Sequence, residues 1–363
     1  MFDRSPGRRA SIGQVSLLAA VILLLIGALA LDARGGIGLI ADQLALLRTP
    51  VFRVPAGWPQ PVYDFRDNPI TAAGFALGRE LFYDPKLSRD GSVSCASCHQ
   101  QFAAFAHYDH AVSHGIDNRN GTRNAPGLFN LAWLPQLMWD GSAHNLEVQP
   151  LGPVANPVEM DAKLPALLDR LRADPTYPKR FEAAFGSPDI DSQRMLKALA
   201  QFTGTMISAD SRYDRYVGGD ASALNATEQA GLAAFRARCA SCHVEPLFSD
   251  FSNRDNGLDA APRDAGRATV TARELDRGSF RVPSLRNIGL TPPYMHDGRF
   301  DTLAQVLDHY RGGIAGSDHV DPLLRGGLPI SAEERAALLA FLPTLDDPGF
   351  THDLRFADPA RRR

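Results

Sequence analysis

The pentapeptide Cys-Ala-Ser-Cys-His occurs twice, at residues 95–99 and 239–243, and the two copies hold all 4 cysteines of the chain. Three chemistries use cysteines so placed. Two disulfides would suit an oxidising compartment, but a Cys-x-x-Cys pair rarely closes into a structural bridge, and a bridge has no need of the following histidine. Zinc accepts Cys-x-x-Cys pairs and histidine, although the ligands of one site usually lie closer in sequence than these two copies do. The third chemistry is covalent attachment of c-type haem, whose signature is Cys-x-x-Cys-His. Two thioether bonds reach the two vinyl positions of one porphyrin edge, and the next residue turns its imidazole under the iron. The duplicated motif favours this third reading: one haem on Cys95, Cys98 and His99, and a second on Cys239, Cys242 and His243.

Each iron has a second axial position, and its occupant separates catalysis from electron transfer. The pattern Asp301–Gly312 (DTLAQVLDHYRG) predicts a helix opened by a Thr302/Gln305 capping box. Leu303, Val306, Leu307 and Tyr310 share its apolar face. A tyrosine closing such a stripe is an ordinary core residue by pattern alone.

The elements that must position these groups are mostly helical. Thr71–Tyr83 and Leu224–Cys239 read as helices, each leading into one CASCH copy, a weak internal repeat. Leu164–Ala173, Pro175–Phe185 and a long stretch Asp191–Tyr216 follow helical periodicity, and Ser331–Glu334 is a capping box ahead of another apolar run. Strand-like alternation is scarce, and 31 glycines and 26 prolines predict long connections. The fold class expected is mostly α, with two cytochrome c-like haem domains and long loops, preceded by an N-terminal hydrophobic helix. Ser11–Leu31 carries no charge and is long enough to cross a bilayer. Ala28-Leu29-Ala30 also resembles a signal cleavage site. The arginines before the span keep that end cytoplasmic, so either reading exports the remainder. The boundaries read as a signal-anchor or signal peptide over 1–34, a linker over 35–60, haem domains over 61–212 and 213–352, and a tail over 353–363. A net charge of −3 without a basic stripe excludes nucleic acid as a partner.

The segments LGRELFYDPKLSRDGSVSCASCH, GTRNAPGLFN, WDGSAHNLEVQPLGPVANPVEM and FRVPSLRNIGLTPPYMHDGRFDTLAQV, in that order, resemble the bacterial di-haem cytochrome c peroxidase and MauG family. The resemblance runs from about Asn68 to Pro343. It implies a peroxidatic haem on His99 and an electron-relay haem on His243. It implies Tyr310 as the distal ligand of the relay haem, where classical peroxidases place a methionine and the MauG branch a tyrosine. It further implies Glu159 and Gln149 as the groups that assist O–O cleavage, and Trp139 as the stepping stone between the haems. Asn124, Thr291 and Pro293 would hold one calcium ion. In the loop where classical members carry a blocking histidine, the matching position is Ile116. His114 reads as a surface or loop histidine, and the His99 haem as five-coordinate and open. Trp133 is read as core or surface and Glu147 as a solvated or capping carboxylate off the motif, while Met295 and His296 are read as supporting the surroundings of the relay haem and not as ligands.

The function expected is an exported, periplasmic di-haem c-type peroxidase, tethered to the inner membrane by residues 11–31 if the span is uncleaved. It would reduce hydrogen peroxide with electrons from a small cytochrome c or cupredoxin. Two alternatives stay open: a MauG-like enzyme using a high-valent bis-iron state to oxidise residues of a partner protein, and a non-catalytic di-haem electron-transfer cytochrome.

Overall fold

Most of the longer helices of this chain start at side-chain caps. The computed structural model describes residues 52–362, all within one compact unit, Pro50–Arg362. The helix α1 (Ala72–Tyr83) begins at Thr71, whose side chain accepts the Gly74 N–H. Helices α2 (Leu164–Ala173) and α3 (Tyr177–Phe185) follow, the latter stopped by Gly186 at φ 76°. Then come α4 (Ser192–Gly204), α5 (Arg212–Val217), α6 (Ala226–Arg238), α7 (Leu303–Gly312) and α8 (Ala332–Phe341). Capping boxes open α5 to α8, at Ser211/Asp214, Asn225/Glu228, Thr302/Gln305 and Ser331/Glu334. The expected boxes at Thr302 and Ser331 are both formed.

Two helix pairs organise the apolar cores. In the first, α1 crosses α4 so closely that a Cβ on Gly78 would lie 1.9 Å from the Ala198 carbonyl oxygen. Phe75 and Phe82 flank that crossing and meet Phe202 of α4 at ring distances of 5.4 and 5.3 Å. In the second pair, α6 crosses α8 in the same manner. A Cβ on Gly231 would lie 2.1 Å from the Ala337 carbonyl oxygen, and Phe235 meets Phe341 at 5.5 Å. Both α1 and α6 precede a CASCH copy, so the weak repeat seen in sequence is a repeated packing arrangement. Phe350 and Phe356, near the C-terminal end, return to the first core, where Phe356 accepts a hydrogen bond from Tyr83 at 2.8 Å.

The stretch Asp191–Tyr216, expected as one helical run, is broken over 205–211. The buried Asp347 carboxylate takes the N–H groups of Ala209 and Asp210, each at 3.1 Å. Asn130 takes that of Ser208 at 3.0 Å. Ser211 then restarts the helix. Long-range acceptors thus outcompete local periodicity. Residues 52–60, the described part of the segment read as a linker, form no helix or strand. Phe52, Val54 and Trp58 nonetheless pack on a small cluster with Phe65 and Trp133. The only sheet among the described residues pairs β1 (Asn253–Arg254) with β2 (Phe280–Arg281), antiparallel. No helix of the described residues is long and apolar enough to cross a membrane. The hydrophobic stretch 11–31, expected as an N-terminal helix, lies outside the described residues.

The close crossings make a direct prediction. Gly78→Ala and Gly231→Ala should each lower the unfolding free energy by about 1–3 kcal/mol, because a methyl group must displace backbone. Gly312→Ala, with open space at its Cβ position, should leave it within about 0.5 kcal/mol. Denaturant titration of the three purified holoproteins checks this.

Candidate haem-binding and active site

Both CASCH copies fold into the same small device. The His99 N–H bonds back to the Cys95 carbonyl at 2.9 Å, and the His243 N–H to the Cys239 carbonyl at 3.0 Å, so each motif is one tight turn. His99 Nδ1 lies 2.7 Å from the Phe105 carbonyl, and His243 Nδ1 lies 3.0 Å from the Phe248 carbonyl. A carbonyl only accepts, so Nδ1 carries the proton and Nε2 keeps its lone pair. Phe105 and Phe248 both sit at positive φ, 59° and 54°, a conformation rare for a bulky residue. Both rings are fully buried. Burial also holds the His99 and His243 imidazoles below the ordinary histidine pKa, which keeps them neutral.

One largely apolar cavity of about 760 Å³ runs past both devices. Its walls include all four cysteines and both histidines, and also Glu159, Gln149, Trp139, Tyr310, Asn124, Thr291 and Pro293. Every residue expected at the site therefore faces one space. No cysteine is bridged to another. Burial pushes the thiols of Cys95 and Cys239 up to about 12 and that of Cys98 up to about 11. Zinc binds thiolates, so this apolar setting disfavours zinc, whereas thioethers to haem are neutral and fit it. The described Cys and His motif residues also form no joint cluster of metal-ligating atoms.

A second observation fits haem. Arg281 is 6 % exposed and lines the cavity, and its guanidinium donates only to the Met138 and Val282 carbonyls, at 3.3 and 3.4 Å. Burial alone pushes its guanidinium down to about 10, with no carboxylate opposing it. A buried cation without an anion is costly, and a haem propionate is an anion of suitable kind. Arg123 and Arg254, on the same wall, already have acids: Asp140 and Asp264 for the first, Asp250 and Asp321 for the second. The sequence reading missed Arg281, although a lone arginine inside FRVP, bordered by apolar residues, was the available signal.

The two ends of the cavity differ. Around the first motif, Glu159 shares hydrogen bonds with the Asn156 and Ser113 side chains, and burial outweighs both in raising its pKa. It acts electrostatically on Cys98, which places it beside that motif. Its backbone is clasped by the loop: the Ile116 N–H reaches the Glu159 carbonyl at 2.8 Å, and a Cβ on Gly115 would lie 2.2 Å from that oxygen. Gln149 Nε2 is 3.3 Å from Met138 Sδ. Around the second motif, Asn256 Nδ2 stands 3.4 Å from Tyr310 Oη and 3.5 Å from Met295 Sδ. Burial raises the Tyr310 pKa, and Cys239 and Cys242 add to that rise. Two candidate donors thus share this wall, and Met295 is one that the sequence reading set aside.

Trp139 links the halves. Its indole N–H donates to the Asn124 carbonyl at 2.8 Å, while its own carbonyl accepts the Arg281 N–H at 2.7 Å. Trp133 is core, as expected: 2 % exposed, bonded to Pro59 at 2.8 Å and packed on Phe52 and Trp58. Glu147, read as off the motif, does not line the cavity and accepts from Tyr63 at 2.6 Å. His114 is a loop histidine, as expected, but a half-buried one. Its loop closes on itself through the Gly115 N–H to Arg119 carbonyl bond at 2.9 Å, with Asp117 and Asn118 at positive φ. That turn drives Ile116 into the core at 0 % exposure and puts His114 on the cavity wall.

Comparison with known proteins agrees. The family model described as di-haem cytochrome c peroxidase matches residues 72–222. The methylamine utilization protein MauG of Methylorubrum extorquens is 40% identical over 84% of this chain and 85% of its own length. This chain belongs to the di-haem cytochrome c peroxidase and MauG family. The cytochrome c551 peroxidase of Nitrosomonas europaea is 36% identical, over 78% of this chain and 83% of that protein. Among solved structures, a MauG-like protein associated with microbial copper homeostasis superposes with a TM-score of 0.78 at 36% identity, covering 86% of this chain and 99% of that one. The diheme peroxidase BthA of Burkholderia thailandensis gives 0.67 at 26% identity, covering 77% and 87%.

Membership in a di-haem family gives Arg281 a testable role. Arg281→Met should leave both haems attached but lower the midpoint potential of at least one, on the order of tens of millivolts, because a nearby cation disfavours the ferric state. Potentiometric titration of the holoprotein reads this.

Proposed function

We propose that this chain is an exported di-haem peroxidase. It reduces hydrogen peroxide at the His99 centre with electrons entering at the His243 centre from a small cytochrome c or cupredoxin. The observation that carries the reading is the asymmetry of the cavity: a half-buried carboxylic acid and an amide line it, with Glu159 beside the first CASCH motif, while Asn256, Tyr310 and Met295 lie together at another wall. A protein that only relayed electrons would need no such acid.

Haem iron, when bound, supplies the site for peroxide and the redox chemistry. The rest falls to side chains. His99 and His243 would hold the haem irons through Nε2, their rings fixed by the Phe105 and Phe248 carbonyls. Glu159 carries the proton: its raised pKa lets the carboxyl exchange a proton closer to neutrality than an exposed acid would. With haem in place it would move a proton between the two oxygens of peroxide. Gln149 offers an N–H to the charge that develops. Trp139, bonded to both halves, is the relay between them. Tyr310 would offer its phenol oxygen to the haem held by His243; a phenolate is a hard anionic donor and would favour the ferric state. Asn124, Thr291 and Pro293 would hold a calcium ion. The Asn124 amide N–H groups go to the His110 and Ala111 carbonyls, which leaves Oδ1 as its remaining donor, and oxygen donors suit calcium. Export to the periplasm, with an inner-membrane tether if uncleaved, is read from residues 11–31.

A second reading has one observation in its favour. Tyr310, not a methionine, occupies the helix position facing the cavity, as the resemblance to the MauG branch implies, and on that reading the substrate is a partner protein whose residues are oxidised.

Glu159→Gln should retain both haems and lose about 100-fold or more in peroxide turnover with reduced cytochrome c. The acid limb of its pH–rate profile should vanish, since the wild-type enzyme loses activity as pH falls and Glu159 protonates. Tyr310→Phe should alter the ferric spectrum of the His243 haem and raise its potential, with the cyanide response of the His99 haem unchanged. An unaltered spectrum would point to Met295 instead.

A further inference from the structure

One loop outside the two CASCH motifs gathers three imidazoles. The rings of His107, His110 and His114 lie 4.5 Å (107 to 110), 5.0 Å (107 to 114) and 4.6 Å (110 to 114) apart. Their ligand nitrogens are all within 4.8 Å of one another, and no other trio of His, Cys, Asp or Glu among the described residues is so close. The backbone beneath is clamped. The His107 N–H bonds to the Ala125 carbonyl at 3.2 Å and the Ser113 N–H to the Arg123 carbonyl at 2.9 Å. Asn124 holds the carbonyls of His110 and Ala111 at 3.4 and 3.1 Å.

Packing alone gives no reason for the cluster. His107 is 1 % exposed, and its Nδ1 has no hydrogen-bond partner. A buried polar atom left so costs about 1–3 kcal/mol. The charged groups acting on His107 are His110, His114 and His99, with no carboxylate among them. Burial, then those neighbours, push its pKa down to about 4, so the ring is neutral and its lone pair is available. His110 Nδ1 is 3.3 Å from the Tyr108 carbonyl, which leaves Nε2 for a ligand.

We propose that His107, His110 and His114 bind one borderline divalent cation, Zn²⁺ or Cu²⁺, with a fourth position open. Three neutral nitrogens without oxygen donors select such ions over calcium or magnesium. Zinc–nitrogen bonds of about 2.0–2.1 Å put tetrahedral ligand atoms roughly 3.4 Å apart. His110 is exposed and His114 half-buried, so side-chain rotation can close the remaining gap while His107 stays fixed. The bound ion would span the loop from solvent, at His110, to the cavity wall, at His114.

The test uses tag-free holoprotein carrying both haems, stripped with EDTA and titrated separately with zinc chloride and with copper sulfate. One equivalent of either metal should be retained through dialysis, and the copper form should show hyperfine coupling to three nitrogens. His110→Ala, at an exposed position, and His107→Gln should each weaken binding by about tenfold or more, with haem spectra unchanged. His352→Ala, at an exposed histidine elsewhere, should bind as wild type. Wild-type affinity in both cluster variants, no retained metal, or coupling to a single nitrogen would overturn the proposal.

Discussion

The hydrogen bond from a histidine Nδ1–H to a left-handed phenylalanine carbonyl is the constraint on which the rest of this structure depends. It is made twice, His99 to Phe105 and His243 to Phe248. It fixes ring orientation and tautomer together, so that Nε2 is the donor left for iron. Holding a bulky residue at positive φ has a cost, and the surrounding core meets it. Phe105 packs on Phe82 and Phe356, at 5.9 and 6.5 Å, and Phe248 on Tyr213 and Phe235, at 4.8 and 5.3 Å. The core therefore positions the ligand through the backbone that the ligand bonds to.

The same scaffold is built twice and then diversified. A glycine crossing sets α1 against α4 and α6 against α8, and each crossing delivers a CASCH turn to the common cavity. What differs is the opposite wall. One segment contributes Glu159, through backbone clasped by Gly115 and Ile116. Another contributes Asn256, Tyr310 and Met295. Like CASCH turns beside unlike cavity walls would suit a division of labour between two haems.

The link between halves is polar and dense. Arg123 joins Asp140 to Asp264, and Arg267 donates to the Asp140 and Gly141 carbonyls at 2.9 and 2.7 Å. Trp139, between Asp140 and Met138 in sequence, is thus held from both sides. Such pairing within a half-buried seam favours one relative placement of the halves over many, which an electron path through Trp139 would need.

Much of this was legible in the chain. Cys95, Cys98, His99, Cys239, Cys242 and His243 are spaced by covalent geometry, and spacing is a property of sequence. The capping boxes at Thr302 and Ser331 act within four residues, so local pattern sufficed for them too. Tertiary structure decided the rest. Only folding could show that Asp347, far along the chain, breaks the helical run after Gly204 by taking the Ala209 and Asp210 N–H groups. Only folding could show that a turn of left-handed residues buries Ile116 and turns His114 to the cavity. Arg281 without a counter-charge, and three histidines brought together with one nitrogen unsatisfied, are facts about burial. Burial depends on what packs from elsewhere in the chain, and a residue's sequence neighbours do not specify that.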